Sequence, residues 1–159
     1  MKTSAARFPQ VTHLAMSRKG GLRKGDSTVE NMNNVRGVAG DCLNEDTFPE
    51  EFPECDSLIH TVGTLIEGKS YDQSYKAMNR DTAITIAKKF NEAAKQQDRM
   101  KNFVFISSEK APPFLGGYLS TKMEAEDYLL NSCPNLRVHI IRPGFVVNAQ
   151  ERSWSPILG

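Results

Sequence analysis

Two residues of this sequence, Tyr118 and Lys122, have the types and the spacing that acid/base chemistry requires. They stand four positions apart at the start of residues 117–130, a stretch whose pattern predicts an amphipathic helix with both side chains on one face. A free tyrosine titrates near pH ~10, and a neighbouring ammonium favours its phenolate form. A tyrosine shifted in this way can donate or accept a proton near neutral pH. The same spacing also arises by chance in solvated helices, so the flanking sequence must decide.

Length and composition are those of one globular domain. The chain has 159 residues, of which 39% are hydrophobic and 25% charged. Its net charge of +1 gives no reason to expect nucleic acid or an anionic membrane as a partner. No apolar run reaches the ~20 residues of a membrane span. We therefore expect no nucleic-acid binding and no transmembrane segment.

The cysteines and histidines predict neither a disulfide framework nor a metal site. Cys42, Cys55 and Cys133 lack the CxxC spacing of zinc sites, and their odd number fits a reducing compartment. The three histidines show no metal-ligand spacing either.

The first twenty-five residues admit two interpretations. They carry several basic residues and no acid before Asp26, which resembles the composition of a mitochondrial transit peptide. Residues 11–16 (VTHLAM), however, alternate like a strand, so part of this segment also fits the fold.

The remaining pattern predicts strands that alternate with helices. Strands are expected at residues 11–17, 35–39, 56–62, 102–107 and 135–141, and helices at about 70–97 and 118–131. Residues 47–54 predict a loop or one helical turn, and the apolar run at 56–62 predicts a buried strand. Such alternation predicts βαβ units and a parallel sheet with right-handed crossovers.

Polar residues follow the predicted strands at their carboxyl ends, where ligands of parallel sheets bind. A single serine after a strand is ordinarily a turn or helix cap, but five coincident sets at one edge of one sheet favour a binding site. The sets are Ser17-Arg18, Asp41, His60-Thr61-Gly63, Ser107-Ser108 and Arg142-Pro143-Gly144.

Four features together resemble the short-chain dehydrogenase/reductase superfamily, in its extended and atypical branch. They are residues 103–108 (FVFISS), Tyr118-x-x-x-Lys122 with Glu124 and Glu126 behind it, residues 141–145 (IRPGF) and the helix carrying Asn79. The resemblance covers roughly residues 11–148. Residues 108–126 are similar to proteins related to the 39 kDa accessory subunit of respiratory complex I, and within that group to the fungal member associated with coenzyme Q biosynthesis.

The resemblance implies a catalytic set of Ser108, Tyr118, Lys122 and Asn79. Tyr118 would be the acid/base residue, and Lys122 would hold the nicotinamide ribose while lowering the pKa of Tyr118. Ser108 would orient a substrate carbonyl, and Asn79 matches the asparagine of the helix that flanks the site.

The resemblance also implies NAD or NADP as cofactor. Arg18 stands where family members that prefer NADP place a cation for the 2′-phosphate, so NADP is favoured. Asp41 would lie near the adenine. The residues expected to line the cofactor are His60, Thr61 and Gly63, and those expected to close over the nicotinamide are Pro143, Gly144 and Phe145.

The glycine-rich turn of the family is missing. Residues 1–10 contain no glycine, and residues 20–25 have neither the dinucleotide nor the P-loop spacing. We therefore expect a single partial NAD(P)-binding Rossmann-like α/β domain over residues 1–159, with flanking helices and without the first βα unit. Taking strand 1 out of the order 3-2-1-4-5-6 leaves a gap in the sheet, unless the chain is a truncated product or the sheet rearranges.

The resemblance implies an oxidoreductase-like protein tied to mitochondrial coenzyme Q biosynthesis, and whether it is an active enzyme stays open. The alternative is a non-catalytic assembly or stabilising factor for a mitochondrial membrane complex, either the coenzyme Q synthome or complex I. In both cases the protein is expected on the matrix side, peripheral to the inner membrane. Nucleotide-sugar epimerases and NADP sensors use similar motifs, but no residue here favours a sugar.

Overall fold

The computed structural model describes residues 2–21, 32–111 and 115–144. The chain divides into two compact units, residues 1–52 and 53–159. The first unit carries a helix and two strands, and the second carries three strands and the longer helices. The expectation of one domain over residues 1–159 stays a prediction.

The described part of the first unit is a pair of parallel strands preceded by a short helix. Its elements are α1 (Lys2–Arg7), β1 (His13–Ser17) and β2 (Val35–Ala39). The two strands pair in parallel along their whole length, and both match the predicted strands. Ala5 and Val35 are buried together, with Met32 packed against them. One helical turn, Glu45–Thr47, follows β2, and a second, Phe52–Glu54, lies at the junction with the next unit.

The second unit is built on a three-stranded parallel sheet of order β3-β4-β5. The strands are β3 (Ser57–His60), β4 (Lys101–Ile106) and β5 (Leu136–Ile141). Between β3 and β4 the chain forms a short turn (Tyr71–Gln73), a π-helix (Lys76–Asp81) and α2 (Thr82–Gln96), the last two being continuous. Between β4 and β5 it forms α3 (Gly116–Ser132). Each predicted strand and helix of this region is present.

One face of this sheet supplies the core. Phe103 and Phe105 on β4 are fully buried, as are Phe90 on α2 and Leu129 on α3. The crossovers from β3 to β4 and from β4 to β5 both move in the same direction across the sheet. Because such crossovers are right-handed, they place α2 and α3 on the same face of the sheet. The other face is less covered, and Ile59 on β3 is 66% exposed.

The prediction of a fully buried strand at residues 56–62 is therefore wrong in one respect. Only His60 of β3 is buried, while Ser57 and Ile59 are exposed. The reason is that β3 is an edge strand and that α2 and α3 cover the opposite face. An apolar run shows that a strand forms but does not show how many of its faces are covered.

The described strands form two sheets, so the prediction that one edge of one sheet collects all the polar residues is wrong. Arg18 and Asp41 follow strands of the two-stranded sheet, whereas the other sets follow strands of the three-stranded sheet. No ladder hydrogen bonds join the two sheets within the described residues. The predicted class, Rossmann-like parallel α/β with flanking helices, is confirmed.

Of the helices in the described ranges, none combines the length and the apolar character that crossing a bilayer requires.

Candidate functional site

Lys122 is buried at the carboxyl end of the central strand β4. Its side chain lies in the second turn of α3, and the residue is 4% exposed. The ammonium Nζ donates to the Ile106 carbonyl at 2.9 Å and stands 4.9 Å from the centroid of the Phe105 ring. Burial lowers the pKa of Lys122 to about 8, and the Glu126 carboxylate opposes that shift.

Gly63 lies close to both Asn79 and Lys122. Asn79 is fully buried in the π-helix, where its Oδ1 accepts from the Thr64 N–H at 2.8 Å and its Nδ2 donates to the Thr64 carbonyl at 3.2 Å. A Cβ on Gly63 would lie 2.9 Å from Asn79 Oδ1 and 3.2 Å from Lys122 Nζ. Glycine is thus the residue that lets the backbone after β3 approach both polar groups.

Tyr118 lies in the first turn of α3 and is half-buried. Its ring meets the ring of Tyr75 edge to face, with centroids 6.0 Å apart. Tyr75 is in turn fixed, because its hydroxyl donates to the Leu65 carbonyl at 2.9 Å. A Cβ on Gly117 would lie 3.0 Å from the Tyr75 ring, so glycine before Tyr118 permits this close packing. One face of Tyr118 is therefore supported by a second aromatic ring, while part of it remains accessible.

Ser108 and its neighbour Ser107 differ in environment. The Ser108 hydroxyl donates to the Lys110 carbonyl at 2.8 Å and closes a local turn. Ser107 is 4% exposed, and its hydroxyl has no hydrogen bond of regular geometry among the described residues. Its backbone N–H donates to the Ile141 carbonyl at 2.8 Å, which continues the β4–β5 pairing. The role of Ser108 toward a substrate carbonyl stays a prediction.

His60 lies in the core beneath the site rather than on its surface. It is 2% exposed and stacks near Phe105, with ring centroids 5.8 Å apart. Its Nε2 lies 3.3 Å from Thr82 Oγ1. The Thr82 hydroxyl has one hydrogen to donate, and it donates it to the Met78 carbonyl at 2.8 Å. His60 therefore carries its proton on Nε2 and donates to Thr82. Burial, aided by the Lys122 charge, lowers the pKa of His60 to about 3.

The residues after β5 are tied to α3 and to the loop after β4. The Arg142 guanidinium donates through Nε to both oxygens of Glu126, at 3.0 and 3.1 Å, and also through Nη2 to Oε2. The Pro143 carbonyl accepts from the Glu109 N–H at 3.1 Å. Gly144 is exposed, and Phe145 lies outside the described residues. Thr61 is also exposed.

The sequence interpretation missed the role of Glu126, which it noted only as part of a motif. The residue is 6% exposed and lies one turn beyond Lys122 on α3. Burial raises the pKa of Glu126, but its hydrogen bonds and the nearby Arg142 and Lys122 charges hold it below its ordinary value. A signal was present, since an acid four residues after a site lysine faces the same way. Tyr75 and Thr64 were also missed, because only the fold places Tyr75 against Tyr118 and Thr64 against Asn79.

Arg18 and Asp41 belong to the first unit. Arg18 is exposed directly after β1. Asp41 serves a turn, because its Oδ1 accepts from the Leu43 N–H at 2.9 Å and its own N–H donates to Thr47 Oγ1 at 2.8 Å. Their roles toward a cofactor stay predictions.

Across the described part of the chain, no three His, Cys, Asp or Glu side chains gather where they could hold a metal ion.

One family model matches residues 89–158, and its description is male sterility protein, NAD-binding. The matched region contains Tyr118, Lys122 and Glu126. It covers less than half of the chain.

MIOREX complex component 2 of Saccharomyces cerevisiae is 24% identical over 164 aligned residues. The alignment covers 79% of this chain and 59% of the relative. The chain therefore spans less than two thirds of the length of this curated relative.

Solved structures with a similar fold include an alcohol dehydrogenase and an NADH-dependent reductase. An alcohol dehydrogenase from Thermococcus sibiricus, complexed with 5-hydroxy-NADP, has a TM-score of 0.63 at 16% identity and covers 93% of this chain and 72% of its own. LigO from Sphingobium sp. strain SYK-6, in its apo form, has a TM-score of 0.67 at 16% identity, with 98% and 67% covered. The NADH-dependent reductase A1-R′ complexed with NAD has a TM-score of 0.60 at 13% identity, with 93% and 74% covered.

These likenesses confirm the resemblance that the sequence motifs predicted. The fold is that of Rossmann-type reductases, and the sequence match falls on the helix that carries the Tyr-Lys pair. In fold and in these motifs, the chain resembles the NAD(P)-binding short-chain dehydrogenase/reductases.

Proposed function

We propose that this chain is an NAD(P)-binding protein of the short-chain dehydrogenase/reductase type, in which Lys122 holds the nicotinamide ribose and Tyr118 moves a proton. One observation carries the proposal. Lys122 is fixed at the end of β4, Gly63 and Asn79 approach it closely, and the half-buried Tyr118 lies one helical turn before it.

The residues present fit the ribose half of such a cofactor. The Lys122 ammonium has three N–H groups and donates one hydrogen bond to the Ile106 carbonyl. The other two N–H groups can donate to ribose hydroxyls. Gly63 keeps the approach free of a side chain where a Cβ would meet Asn79 and Lys122. The cofactor itself would supply hydride chemistry. These observations concern the ribose half of the cofactor.

Within this proposal the chain provides proton transfer and charge. Tyr118 is the donor or acceptor of the proton at a substrate carbonyl, and the Lys122 charge stabilises negative charge on the Tyr118 oxygen. Arg18, exposed after β1, favours NADP over NAD.

Titration of the purified chain with NADPH and NADH, followed by calorimetry or cofactor fluorescence, tests the proposal. We expect saturable binding, tighter for NADPH. Lys122→Met should weaken it by about tenfold or more, because a charge-assisted hydrogen bond is lost. Tyr118→Phe should leave binding nearly unchanged while abolishing carbonyl-dependent NADPH oxidation, measured across a panel of carbonyl compounds. Tyr128→Phe, a half-buried tyrosine later in the same helix, is the matched control.

Two results would count against this assignment. Absence of saturable binding for both cofactors removes the proposal altogether. Unchanged turnover in Tyr118→Phe removes the acid/base role and leaves only a binding protein.

The second candidate is a non-catalytic assembly or stabilising factor for a mitochondrial membrane complex, and the similarity to a MIOREX complex component favours it. In either case we place the protein on the matrix side of the inner membrane, with coenzyme Q biosynthesis as the proposed setting. Fold alone does not decide between these functions.

Affinity purification of the tagged protein from mitochondria separates the candidates. An assembly factor should co-purify with a membrane complex equally well as wild type and as Tyr118→Phe. Sedimentation of the protein alone contradicts the assembly role. An unchanged coenzyme Q content in cells lacking the protein contradicts the proposed setting.

A further inference from the structure

The Glu126–Arg142 pair is held more firmly than an ordinary surface ion pair. The Glu126 side chain is 8% exposed and the Arg142 side chain 53% exposed. The guanidinium reaches both carboxylate oxygens, the forked arrangement that fixes direction as well as distance. The carboxylate is thus a buried charge whose orientation is set from the end of β5.

The same place is where two strand ends and one helix converge. Ile106 and Ile141 are register partners at the ends of β4 and β5, so Ser107 and Arg142 are the next residues on adjacent strands. Lys122 donates to the Ile106 carbonyl, and Glu126 follows Lys122 by one turn of α3. Arg142 is thus bound to Glu126, Lys122 is bound to the end of β4, and the two buried charged side chains of α3 lie one helical turn apart.

The charged and titratable groups around Lys122 come from each neighbouring element. Glu126 on α3 is the acid whose charge acts on it, and Arg142 after β5 is bound to that acid. His60 at the end of β3 is neutral in the core. Asn79, from the π-helix, is polar but uncharged.

We propose that Glu126 is a positioning residue that acts through Lys122: its carboxylate, oriented by Arg142 one helical turn away, keeps the Lys122 ammonium charged at the carboxyl end of β4. The significance of this arrangement for ribose binding rests on the proposed function. The electrostatic coupling itself does not depend on any cofactor.

The direction of the expected effect follows from the surroundings of each group. Burial alone disfavours the ammonium of Lys122, and the nearby carboxylate offsets part of that penalty. Removing the carboxylate charge leaves only burial and the unbalanced Arg142 charge, both of which favour neutral lysine. Removing Arg142 instead acts on Glu126, whose ionised form it stabilises.

The experiment measures the Lys122 titration in full-length protein by NMR of labelled lysine side chains, with assignment by Lys122→Met. In Glu126→Gln we expect the Lys122 midpoint to fall by about one pH unit or more, a tenfold smaller charged fraction above the midpoint. Arg142→Met should raise the midpoint of Glu126 without lowering that of Lys122. Glu124→Gln, which removes an exposed carboxylate paired with Arg80 on the same helix, is the control and should leave Lys122 unchanged.

Glu126→Gln/Arg142→Met serves as a second variant, because it leaves no unpaired buried charge if the single variant folds poorly. A Lys122 midpoint that stays within about 0.3 units of wild type in both Glu126 variants overturns the proposal and leaves Glu126 a structural residue. Cofactor titration reads separately. If NADPH does not bind, the proposed function fails, but the Lys122 titration still shows whether Glu126 acts on Lys122. If the Lys122 midpoint is unchanged in the Glu126 variants, the role of Glu126 fails, but the cofactor-binding proposal is unaffected.

Discussion

At the residue scale, burial decides the protonation of the groups at the ends of β3 and β4. Exclusion of water lowers the pKa of His60 to about 3 and that of Lys122 to about 8. Near neutral pH His60 is therefore uncharged, whereas Lys122 remains mostly protonated. Glu126 resists the same tendency because Arg142 is bound to it. A lysine and a histidine therefore share one site with a single stabilised negative charge.

The buried His60 should make the folded state less stable in acid. Its folded pKa, about 3, lies below the ordinary value of 6.5, so the unfolded chain binds more protons between those two values. Stability should accordingly fall as the pH is lowered from about 6.5 toward 3, by on the order of 4 kcal/mol from this residue. Urea unfolding at several pH values, comparing wild type with His60→Gln, measures it.

The His60→Gln side chain can still donate to Thr82 but does not titrate, so its stability should fall less over that range. His139→Gln on β5 is the control for an exposed histidine. Parallel pH profiles for wild type and His60→Gln would contradict the assignment of a buried neutral histidine.

The sequence singles out Tyr118, Lys122, Asn79 and Gly63 as candidates, because each sits in a motif with a defined spacing or follows a strand. It could not identify His60 as a core residue. A histidine at the end of a strand can point either into the core or toward the ligand edge, and only packing against Phe103 and Phe105 decides which. The partner of Asn79 is likewise a backbone segment fifteen residues away, which side-chain patterns do not encode.

At the scale of elements, the contact between the loop after β3 and the π-helix organises the site. The Asn79 amide binds both the N–H and the carbonyl of Thr64, so the position of the loop after β3 is fixed relative to the π-helix. Gly63 allows that contact because it has no side chain to meet Asn79 and Lys122.

Gly63→Ala should weaken this contact. A Cβ 2.9 Å from Asn79 Oδ1 forces the loop or the amide to move, and we expect a loss of about 1–2 kcal/mol in the free energy of unfolding. Gly116→Ala is the matched control, since a Cβ there meets nothing within 4 Å. Equal stability of the two variants, measured by denaturant unfolding, would show that the loop is not closely held.

Element positions were predicted well because strands and helices are separated by clear turn residues. β2, for example, is found where the sequence predicts it, at Val35–Ala39. The one-sided covering of the three-stranded sheet was not predicted. It depends on two crossovers lying on the same face, which is a property of strand order rather than of any one segment.

At the scale of the whole molecule, buried apolar side chains are unequally divided between the two units. Among the described residues of the first unit, the buried apolar side chains are Ala5, Val35 and Phe52. The second unit buries large rings, among them Phe90, Phe103 and Phe105. A two-stranded sheet with little buried surface is only marginally stable by itself.

Native-state hydrogen exchange should reveal this inequality. We expect the slowest amides in β4 and α2, exchanging only through global opening. Amides of β1 and β2 should exchange through openings about 2 kcal/mol or more lower in free energy. Equal protection of β2 and β4 under the same conditions would contradict this expectation and indicate one cooperative unit.

The π-helix has a further consequence, for how this site can change by mutation. Its backbone hydrogen bond from Thr82 to the Ala77 carbonyl spans one residue more than an α-helical bond. A π-turn holds one residue more than an α-helical turn over the same rotation, so loss of one residue here would let the segment wind as an ordinary α-helix while its two ends keep their relative orientation. Tyr75 against Tyr118 and Thr82 against His60 could then both keep their partners. The contact at risk is the one made from within the wide turn, where Asn79 binds the backbone of Thr64. A single in-frame deletion would therefore act on the loop after β3 rather than on the two ends of the helix.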